Sequence, residues 1–418
     1  MGLNRRPAIR DYWSQAETEH CAWYSQMFPR KRFEAIYHTM LHCSENSSAE
    51  GKDKIEPFVN SVLESFRRAF YPGKYLALDE MVVGWTGRWK YKQYNPSKPH
   101  KYHVKVFGLV DSETGYVVNL LIYFGRETSY RVDLDHSNPQ AVKVFETLLD
   151  PLGPGHHVYS DRFYTSLDLI RHLSNNRTNF TGTLNLNRRG FPTDLKTLRL
   201  QHTERSWYYA PEDEVLCVAW KDKKAKKPVV VVSTMCDTTV EERPTSRGRN
   251  ASKPAPVHSY NARMNGCDKV DQNVGYYNLH TRKSLKWWKK IFHWLMELVQ
   301  VNALVLYNQT HAKKSTLAAF KRVLVKELVA LAAAHMPQGE VDKAPSNMPP
   351  TNSLIDRYTG TKHLIAYSQK DRNCEVCSKP KEGRKRTNFF CKGCAHHPHL
   401  HPKGCFELYH TPESQRRV

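Results

Sequence analysis

The segment YLALDEMVVGW, residues 75–85, sets the fold that we predict for this chain. Its apolar and polar positions alternate as they do in a β-strand. It carries Asp79 in its interior. An ionised carboxylate in a strand that otherwise reads as core costs free energy unless it is paired or binds a metal ion. The simpler alternative is a solvated Asp on the wet face of an edge strand.

The segments after this strand continue an alternating pattern of strands and helices. The hairpin signal DSETG at 111–115 joins the first two of them. In chain order, we predict strands at 103–110 and 116–124, a helix at about 138–149, a strand at 156–160, a second helix that starts near Thr165, and a strand at 179–184. The resulting order, β-β-β-α-β-α-β, is that of an RNase H-like fold. This is an α/β fold in which a mixed sheet carries acidic residues at its strand ends.

The segments around this core suggest further divisions of the chain. Apolar spacing predicts helices before residue 75 and again after residue 277, and a β-rich segment lies between them. We predict a helical part at 1–74, a core at 75–276 with a β-rich insertion at about 188–258, a second helical part at 277–336, a linker at 337–373 and a Cys/His module at 374–410.

The charge of the chain favours a polyanionic partner. Lys and Arg number 63 against 41 acidic residues, which gives a formal net charge of +22. Nucleic acid is the commonest partner of so basic a protein, and a merely basic protein is the alternative. The N-terminus lacks the apolar region of a secretory signal. The longest apolar stretch, 287–306, contains charged residues, so we predict a buried helix and no membrane partner.

Three further aspartates are candidates for metal chemistry. Asp161 follows a short apolar strand, and Asp268 and Asp271 are three residues apart on a predicted helix, where they share a face. Two-metal phosphoryl-transfer sites use such carboxylates from separate elements. For Asp161 the alternative is an ordinary loop residue. For the helical pair it is favourable charge near a helix N-terminus.

The C-terminal cysteines have the spacing of structural zinc ligands. Five of the ten cysteines follow residue 373. The chain contains two Cys-x2-Cys pairs followed by several histidines, enough for two tetrahedral zinc sites. The predicted ligands are Cys374, Cys377, Cys391, Cys394, His399, His401, Cys405 and His410. Reduced cysteines in a tail are the alternative.

Basic residues interleave with aromatics in two segments, and a basic triplet lies between the cysteine pairs. Their cations are candidates for phosphate contacts. For Trp287 and Trp288 we favour core packing, and for the triplet nuclear import or a solvated charge run remains open. The predicted DNA-binding residues are Arg88, Lys90 and Lys92, then Arg282, Lys283, Lys286, Lys289 and Lys290, and finally Arg384, Lys385 and Arg386.

Several ordered blocks of the sequence resemble piggyBac-type transposases and their domesticated relatives. The resemblance covers nearly the whole chain and keeps the order of blocks in that family. The blocks are DYWS at 11–14, LALDEMVVGWTGR at 76–88, KYHVKVFGLVDSETGYVVN at 101–119, SDRFYTSLDLI at 160–170, GTLNLNRRG at 182–190, YNARMNGCDKVDQ at 260–272, NALVLYN at 302–308 and CFELYH at 405–410.

The resemblance implies roles for individual residues. Asp79, Asp161 and Asp268 correspond to the family's catalytic carboxylates, and Asp271 to a supporting acidic residue. Divalent cations, Mg²⁺ or Mn²⁺, are the implied catalytic cofactors. The implied C-terminal module is a cross-brace that holds zinc, with two ions expected. His401 stands where the family often has Cys, and imidazole also binds zinc.

The implied activity is cut-and-paste DNA transposition. Strands are nicked, the freed 3′-hydroxyl attacks to give a hairpin, and insertion occurs at TTAA. The resemblance also implies an RNase H-like core with a β-rich insertion, a split helical domain for DNA binding and dimerisation, terminal repeats as DNA partner, a homodimer and a nuclear location. No small-molecule substrate is expected.

One departure from the family leaves alternative functions open. Members of the family usually carry a long acidic N-terminal region, and this chain begins almost at DYWS. That difference favours a domesticated DNA-binding protein, whereas the intact acidic positions favour an active enzyme. A zinc-finger protein that acts in chromatin through its tail alone is a third possibility.

Overall fold

The computed structural model describes residues 1–334, apart from 47, 136 and 245–249, and then 353–355, 362–378, 383–394 and 396–410. The chain divides into two compact units, Met1–Ala333 and Ala334–Val418. Each unit is described separately. The predicted linker at 337–373 lies largely outside the described residues.

The first unit contains nine α-helices among the described residues. Three precede the sheet, two lie between its strands, and four follow the strands. Their bounds are α1 Ala22–Met27, α2 Arg30–Ala35, α3 Glu56–Ala69, α4 Gln140–Leu149, α5 Leu167–Asn175, α6 Ala255–Arg263, α7 Gly266–Gly275, α8 Trp287–Thr310 and α9 Leu317–Ala334.

A nine-stranded mixed sheet forms the centre of this unit. The strands are β1 Tyr75–Gly84, β2 Gln93–Tyr94, β3 Tyr102–Asp111, β4 Val117–Ile122, β5 His157–Ser160, β6 Asn179–Thr183, β7 Arg205–Ala210, β8 Val215–Trp220 and β9 Val229–Ser233. Their order is β2-β3-β1-β5-β6-β9-β8-β7, and β4 also pairs with β3. Strands β1, β5 and β6 run parallel, and β3 is antiparallel to β1.

The sheet confirms the RNase H-like α/β fold predicted from the sequence. Strands β1, β3, β4, β5 and β6, with α4 and α5 between them, occur in the predicted order. The segment predicted as a β-rich insertion supplies β7, β8 and β9 to the same sheet, because β9 pairs with β6. A separate hairpin, β10 Val240–Pro244 with β11 Asn250–Pro254, follows.

Helix α8 is buried against the sheet despite its polar residues. Ile291, Trp294 and Leu298 are almost fully buried on it. Asn302 receives a hydrogen bond from the Val117 backbone N–H and donates one to the Val117 carbonyl, each 2.9 Å long. A side-chain amide therefore satisfies backbone groups at the edge of β4. Among the described helices, none is both long and apolar enough to cross a bilayer.

The second unit is a small Cys/His module. Its described elements are β12 Ser353–Ile355, β13 Lys362–Asn373, β14 Arg386–Cys391 and the short helix α10 Cys405–Tyr409. The strands form a sheet in the order β12-β13-β14. Strand β13 corrects the predicted linker boundary of 373, because it pairs with β14 and belongs to the module. Its polar sequence gave no strand pattern, so pairing decides its conformation.

Candidate active site and metal centres

Strands β1 and β5 place Asp79 and Asp161 side by side. In the parallel β1–β5 register, Leu78 is the partner of Ser160. Asp79 and Asp161 are the next residues on each strand. The Ser160 hydroxyl donates a 2.8 Å hydrogen bond to the Leu78 carbonyl and fixes this level. Adjacent strands lie about 4.8 Å apart, so the two carboxylates leave neighbouring backbones at the same height.

The early end of β5 opens a notch beside β1. Strand β5 ends at Ser160, whereas β1 continues to Gly84. Two β1 backbone N–H groups beyond that point donate to carboxylates. Glu80 N–H donates to Asp79 Oδ1 over 2.7 Å, and Val82 N–H donates to Asp271 Oδ2 over 3.3 Å. The carboxylates therefore occupy a place that a longer β5 would fill.

Helix α7 brings Asp268 and Asp271 to this notch through close packing on the sheet. A Cβ added at Gly266 would lie 3.2 Å from Ala77 Cβ and from Val110 Cγ1. The next residue, Cys267, is 1% exposed, and its Sγ lies 3.5 Å from the Gly108 carbonyl oxygen. A side chain at Gly266 would push these neighbours by a few tenths of an ångström, so glycine favours this close approach. Asp271 is half-buried and Asp268 is exposed.

The notch concentrates negative charge. Burial, together with the neighbouring Asp161 and Asp268 carboxylates, raises the pKa of Asp79 to about 7. Burial also raises the pKa of Asp271 to about 7, with Asp268 and Asp79 adding to the effect. The pKa of Asp161 is raised by burial and by Glu80. Raised carboxyl pKa values in one place mark a candidate functional site.

The donors at the notch fit hard divalent cations. None of the four aspartates forms an ion pair with a described residue, and Asp271 Oδ1 is buried without a hydrogen-bond partner there. Carboxylate oxygens are the preferred ligands of Mg²⁺ and Mn²⁺. Among the described residues, three or more His, Cys, Asp or Glu ligand atoms within 4.8 Å of one another occur only in two Cys/His groups, and not at the four aspartates. The aspartates thus face one notch without forming a closed single-ion cage.

Two residues beside the notch were missed by the sequence analysis. Glu80 forms an ion pair with Lys105, and in this respect it differs from the four aspartates, which form none with described residues. Lys98 is half-buried, and its charge lowers the pKa values of Asp79, Asp161 and Asp271, against the larger effect of burial. The basic run SKPHK at 97–101, between two strands, is the signal that would have identified Lys98.

We expect Mg²⁺ to stabilise the protein more at high pH than at low pH. The pKa values of Asp79 and Asp271, about 7, lie above the usual 3.8, so folding takes up protons between these values. Their contribution to stability is therefore lost as pH rises through about 7. Mg²⁺ replaces those protons, and a thermal melt should show an increase of a few degrees at about pH 8 and little at about pH 5.5. An equal increase in Asp79→Asn would contradict this site.

The first Cys/His group contains four potential zinc ligands. The ligand atoms of Cys374, Cys377, His401 and Cys405 all lie within 4.8 Å of one another. His401 Nδ1 is 3.3 Å from Cys377 Sγ, and its Nε2 is 3.2 Å from the Arg386 carbonyl oxygen. A hydrogen bond from Nε2–H to that carbonyl leaves Nδ1 free to bind metal. This donor set fits a tetrahedral structural zinc site.

The second group contains Cys391, Cys394 and His410. His410 Nε2 is 3.3 Å from Cys394 Sγ, and its Nδ1 is 2.7 Å from the Phe406 carbonyl oxygen. His399 does not join either group, although we predicted it as a ligand. It is buried beside β14, and its Nδ1 is 3.2 Å from the Thr387 carbonyl oxygen. Backbone pairing thus orients this ring away from the thiols.

Most of the predicted DNA-binding residues are accessible. Lys92 is half-buried and donates to the Gly87 carbonyl over 3.1 Å. Arg282 is also half-buried and donates to the Arg6 carbonyl over 2.6 Å. The exposed members are Arg88, Lys90, Lys283, Lys286, Arg384, Lys385 and Arg386. Lys90 is paired with Glu127.

Lys289 and Lys290 correct the prediction of phosphate contacts. They are 5% and 8% exposed. Lys289 Nζ donates to the Tyr37 carbonyl over 2.5 Å, and Lys290 Nζ donates to the His280 carbonyl over 2.6 Å. Burial lowers the pKa of Lys290 to about 8. Their ammonium groups tie α8 to neighbouring backbone. Trp287 stacks on Trp89, in keeping with core packing.

We expect Lys289→Met to destabilise the protein without changing its DNA contacts. The substitution leaves the Tyr37 carbonyl without its donor, which costs about 1–3 kcal/mol. Chemical denaturation should report this loss. The dependence of DNA affinity on salt should stay as in the wild type, because a buried ammonium releases no counterions from DNA. A shallower salt dependence would show that Lys289 does contact phosphate.

Comparison with known proteins shows the family of the chain. A family model described as Transposase IS4 matches residues 1–304. The chain belongs to the piggyBac-type transposase family. Membership places it in the DNA transposase class and implies a divalent metal at the carboxylate site.

Human relatives within this piggyBac-type family match nearly the whole chain. PiggyBac transposable element-derived protein 3 of Homo sapiens is 25% identical over 419 residues, which cover 97% of this chain and 67% of the relative. PiggyBac transposable element-derived protein 2 of Homo sapiens is 24% identical over 389 residues, which cover 89% of this chain and 63% of the relative. The chain therefore spans about two thirds of the length of these relatives.

A solved structure supports the same fold. The cryo-EM structure of a piggyBac transposase synaptic complex with hairpin DNA matches with a TM-score of 0.69 and 21% identity. The match covers 84% of this chain and 75% of that chain. At this identity, the likeness to a piggyBac transposase establishes the fold alone.

Proposed function

We propose that this chain is a cut-and-paste DNA transposase that cleaves and joins DNA strands with divalent cations at TTAA sites. One observation carries the proposal. Asp79 and Asp161 leave adjacent parallel strands at the same level, and α7 adds Asp268 and Asp271 beside them. Carboxylates from separate elements around one notch are the arrangement that two-metal phosphoryl transfer requires.

The proposed roles follow from the position of each carboxylate. Asp79, Asp161 and Asp268 would hold the ions, and Asp271, oriented by the Val82 N–H, would support them. Bound ions would polarise the phosphate and activate water or a 3′-hydroxyl. The chain itself supplies fixed positions, because Asp79 is oriented by the Glu80 N–H and the level of Asp161 is fixed by the bond between Ser160 and Leu78.

The proposed partners are double-stranded DNA and a second copy of the chain. The exposed residues Arg88 and Lys286 would contact phosphates at terminal repeats, and the Cys/His module would hold two zinc ions and contribute to that binding. A dimer would act on the two ends of an element. We also propose a nuclear location, in keeping with a DNA substrate.

Excision of a TTAA-flanked reporter bearing candidate terminal repeats tests the proposal. We expect excision by the wild type and none by Asp79→Ala, which removes a carboxylate from the notch. Asp194→Ala is a matched control, because Asp194 is an exposed residue of the short turn Thr193–Lys196, outside the elements that carry the four aspartates. Excision by Asp79→Ala at the wild-type level would overturn the proposed site.

A second candidate function is sequence-specific DNA binding without catalysis. The names of the human relatives describe them as transposable element-derived proteins. Genomic binding sites of the chain would supply matched DNA ends for both assays. Binding to those ends with no metal-dependent cleavage of them would favour this second function over the first.

A further inference from the structure

A basic pocket lies at the far end of β1 from the carboxylates. Its volume is about 450 Å³, within the range of small-ligand sites. Residues after β1, residues before β3, and the segment between α7 and α8 form its wall. The basic side chains among them are His100, Lys101, His280, Lys283 and Lys290. None of the described residues in the wall is acidic.

Two buried polar atoms in this wall lack partners. Trp85 is 4% exposed and His280 is 7% exposed. Trp85 Nε1 and His280 Nδ1 are buried without a hydrogen-bond partner among the described residues. Such a group costs about 1–3 kcal/mol, which an oxygen ligand would recover. Both atoms are shielded from solvent, so a ligand oxygen reaches them only after the wall side chains rotate.

The charges around the pocket favour an anion. Lys101 and Lys283 are exposed, so their ammonium groups are available to a ligand. Lys290 is held beneath them by its bond to the His280 carbonyl. Burial and the nearby Lys290 and His100 lower the pKa of His280 to about 3, so its imidazole is neutral at physiological pH. A neutral imidazole carries its proton on one of its two nitrogens, and the tautomer protonated at Nδ1 would donate to an oxygen ligand.

The position of the pocket connects it with the carboxylate notch. Asp79 and Gly84 are five residues apart on β1, which corresponds to about 17 Å. The loop before β3 connects the carboxylate notch with the pocket. Lys98 in this loop lowers the pKa of Asp79, and His100 and Lys101 line the pocket. One DNA strand offers a phosphate about every 3.4 Å along the helix axis.

We propose that this pocket binds a backbone phosphate of the DNA strand, within about five nucleotides of the phosphate held at the carboxylate notch. This inference rests on the proposed function. Lys101 and Lys283 bind the phosphate oxygens, and the Trp85 and His280 N–H groups complete the contact after rotation. Binding there aligns the strand with the notch.

The test measures DNA affinity at increasing salt with the full chain and a duplex of about 30 base pairs that contains TTAA. We expect the double variant Lys101→Gln/Lys283→Gln to bind more weakly and to show a salt dependence shallower by about 1. The double variant Lys226→Gln/Lys227→Gln removes the same charge from the loop between β8 and β9, far from the pocket, and should keep the wild-type slope.

A further variant separates the hydrogen bond from the charge. Trp85→Phe keeps an aromatic wall and removes the N–H, so we expect several-fold weaker binding at an unchanged salt slope. Equal slopes for both double variants and the wild type would overturn the inference.

The outcomes for the two proposals are distinguishable. Suppose that Lys101→Gln/Lys283→Gln cleaves DNA with metal ions and that its DNA affinity keeps the wild-type salt dependence. This result would reject the phosphate site in the pocket and leave the transposase proposal standing. The opposite result is that the wild type fails to cleave DNA with matched ends while Lys101→Gln/Lys283→Gln still shows the shallower salt dependence. That result would reject the transposase proposal and leave a DNA phosphate site.

Discussion

Asp161→Asn abolishes DNA strand cleavage, with an expected loss of roughly 10³-fold or more. The substitution replaces a charged metal ligand by a neutral amide of the same shape at the end of β5. Among the described residues, the Asp161 side chain makes one hydrogen bond, in which its Oδ1 accepts from the Phe163 N–H over 2.8 Å. The amide oxygen of Asn preserves that bond, so the fold is retained and only the charge at the notch is lost.

Purified protein on a labelled duplex with matched ends provides the measurement. DNA affinity should stay close to the wild-type value, because Asp161 is not among the basic groups that contact phosphate. Asp168→Asn is the control, since Asp168 is exposed on the first turn of α5 and lies outside the notch. Cleavage by Asp161→Asn at the rate of this control would refute the assigned role.

We expect Cys374→Ser to lose one zinc ion and to unfold part of the C-terminal module. The module has a small buried cluster, formed by Cys374, Cys391, Leu400 and Phe406. So few apolar residues supply little stability. Structural zinc contributes about 10–16 kcal/mol in small zinc domains. Losing one ligand from the first group therefore costs more than this cluster supplies.

Metal analysis of the full chain should find two zinc ions in the wild type and one in Cys374→Ser. Limited proteolysis should show faster cleavage within residues 334–418 and unchanged resistance of the first unit. His401→Gln and His399→Gln form a matched pair. His401 belongs to the first group and His399 to neither, so only His401→Gln should lose zinc. Equal zinc loss in the pair would show that His399 is a ligand.

Local patterns predicted the frame of the catalytic unit. Alternation at 75–85 marked β1, and the apolar run before Asp161 marked β5, because strand periodicity depends on neighbouring residues in the chain. The Cys-x2-Cys spacing likewise identified two pairs of neighbouring metal ligands. Cys374 and Cys377 lie in the first Cys/His group, and Cys391 and Cys394 lie in the second. The family resemblance singled out Asp79, Asp161, Asp268 and Asp271, whose catalytic roles remain predictions.

Long-range packing explains the residues that were misjudged. Lys289 and Lys290 form part of a basic run that looks like a DNA contact. Helix α8 turns both side chains into the interior, where backbone carbonyls accept hydrogen bonds from their ammonium groups. His399 has suitable spacing for zinc, but the pairing of β14 orients it toward Thr387. Sequence spacing could not identify these carbonyl partners, because each belongs to another segment whose position depends on the folded core.

The sequence by itself determined the order of strands and helices, the family, and the residue types available for metal and DNA. The elements and residue types depend on composition and short-range periodicity, and the family depends on the resemblance of ordered sequence blocks. Only the tertiary structure decided that β5 ends before β1, that Gly266 lets α7 reach the sheet, and that Trp85 and His280 enclose a basic pocket. These features arise where distant segments pack together, and burial and hydrogen-bond partners are settled only by that packing.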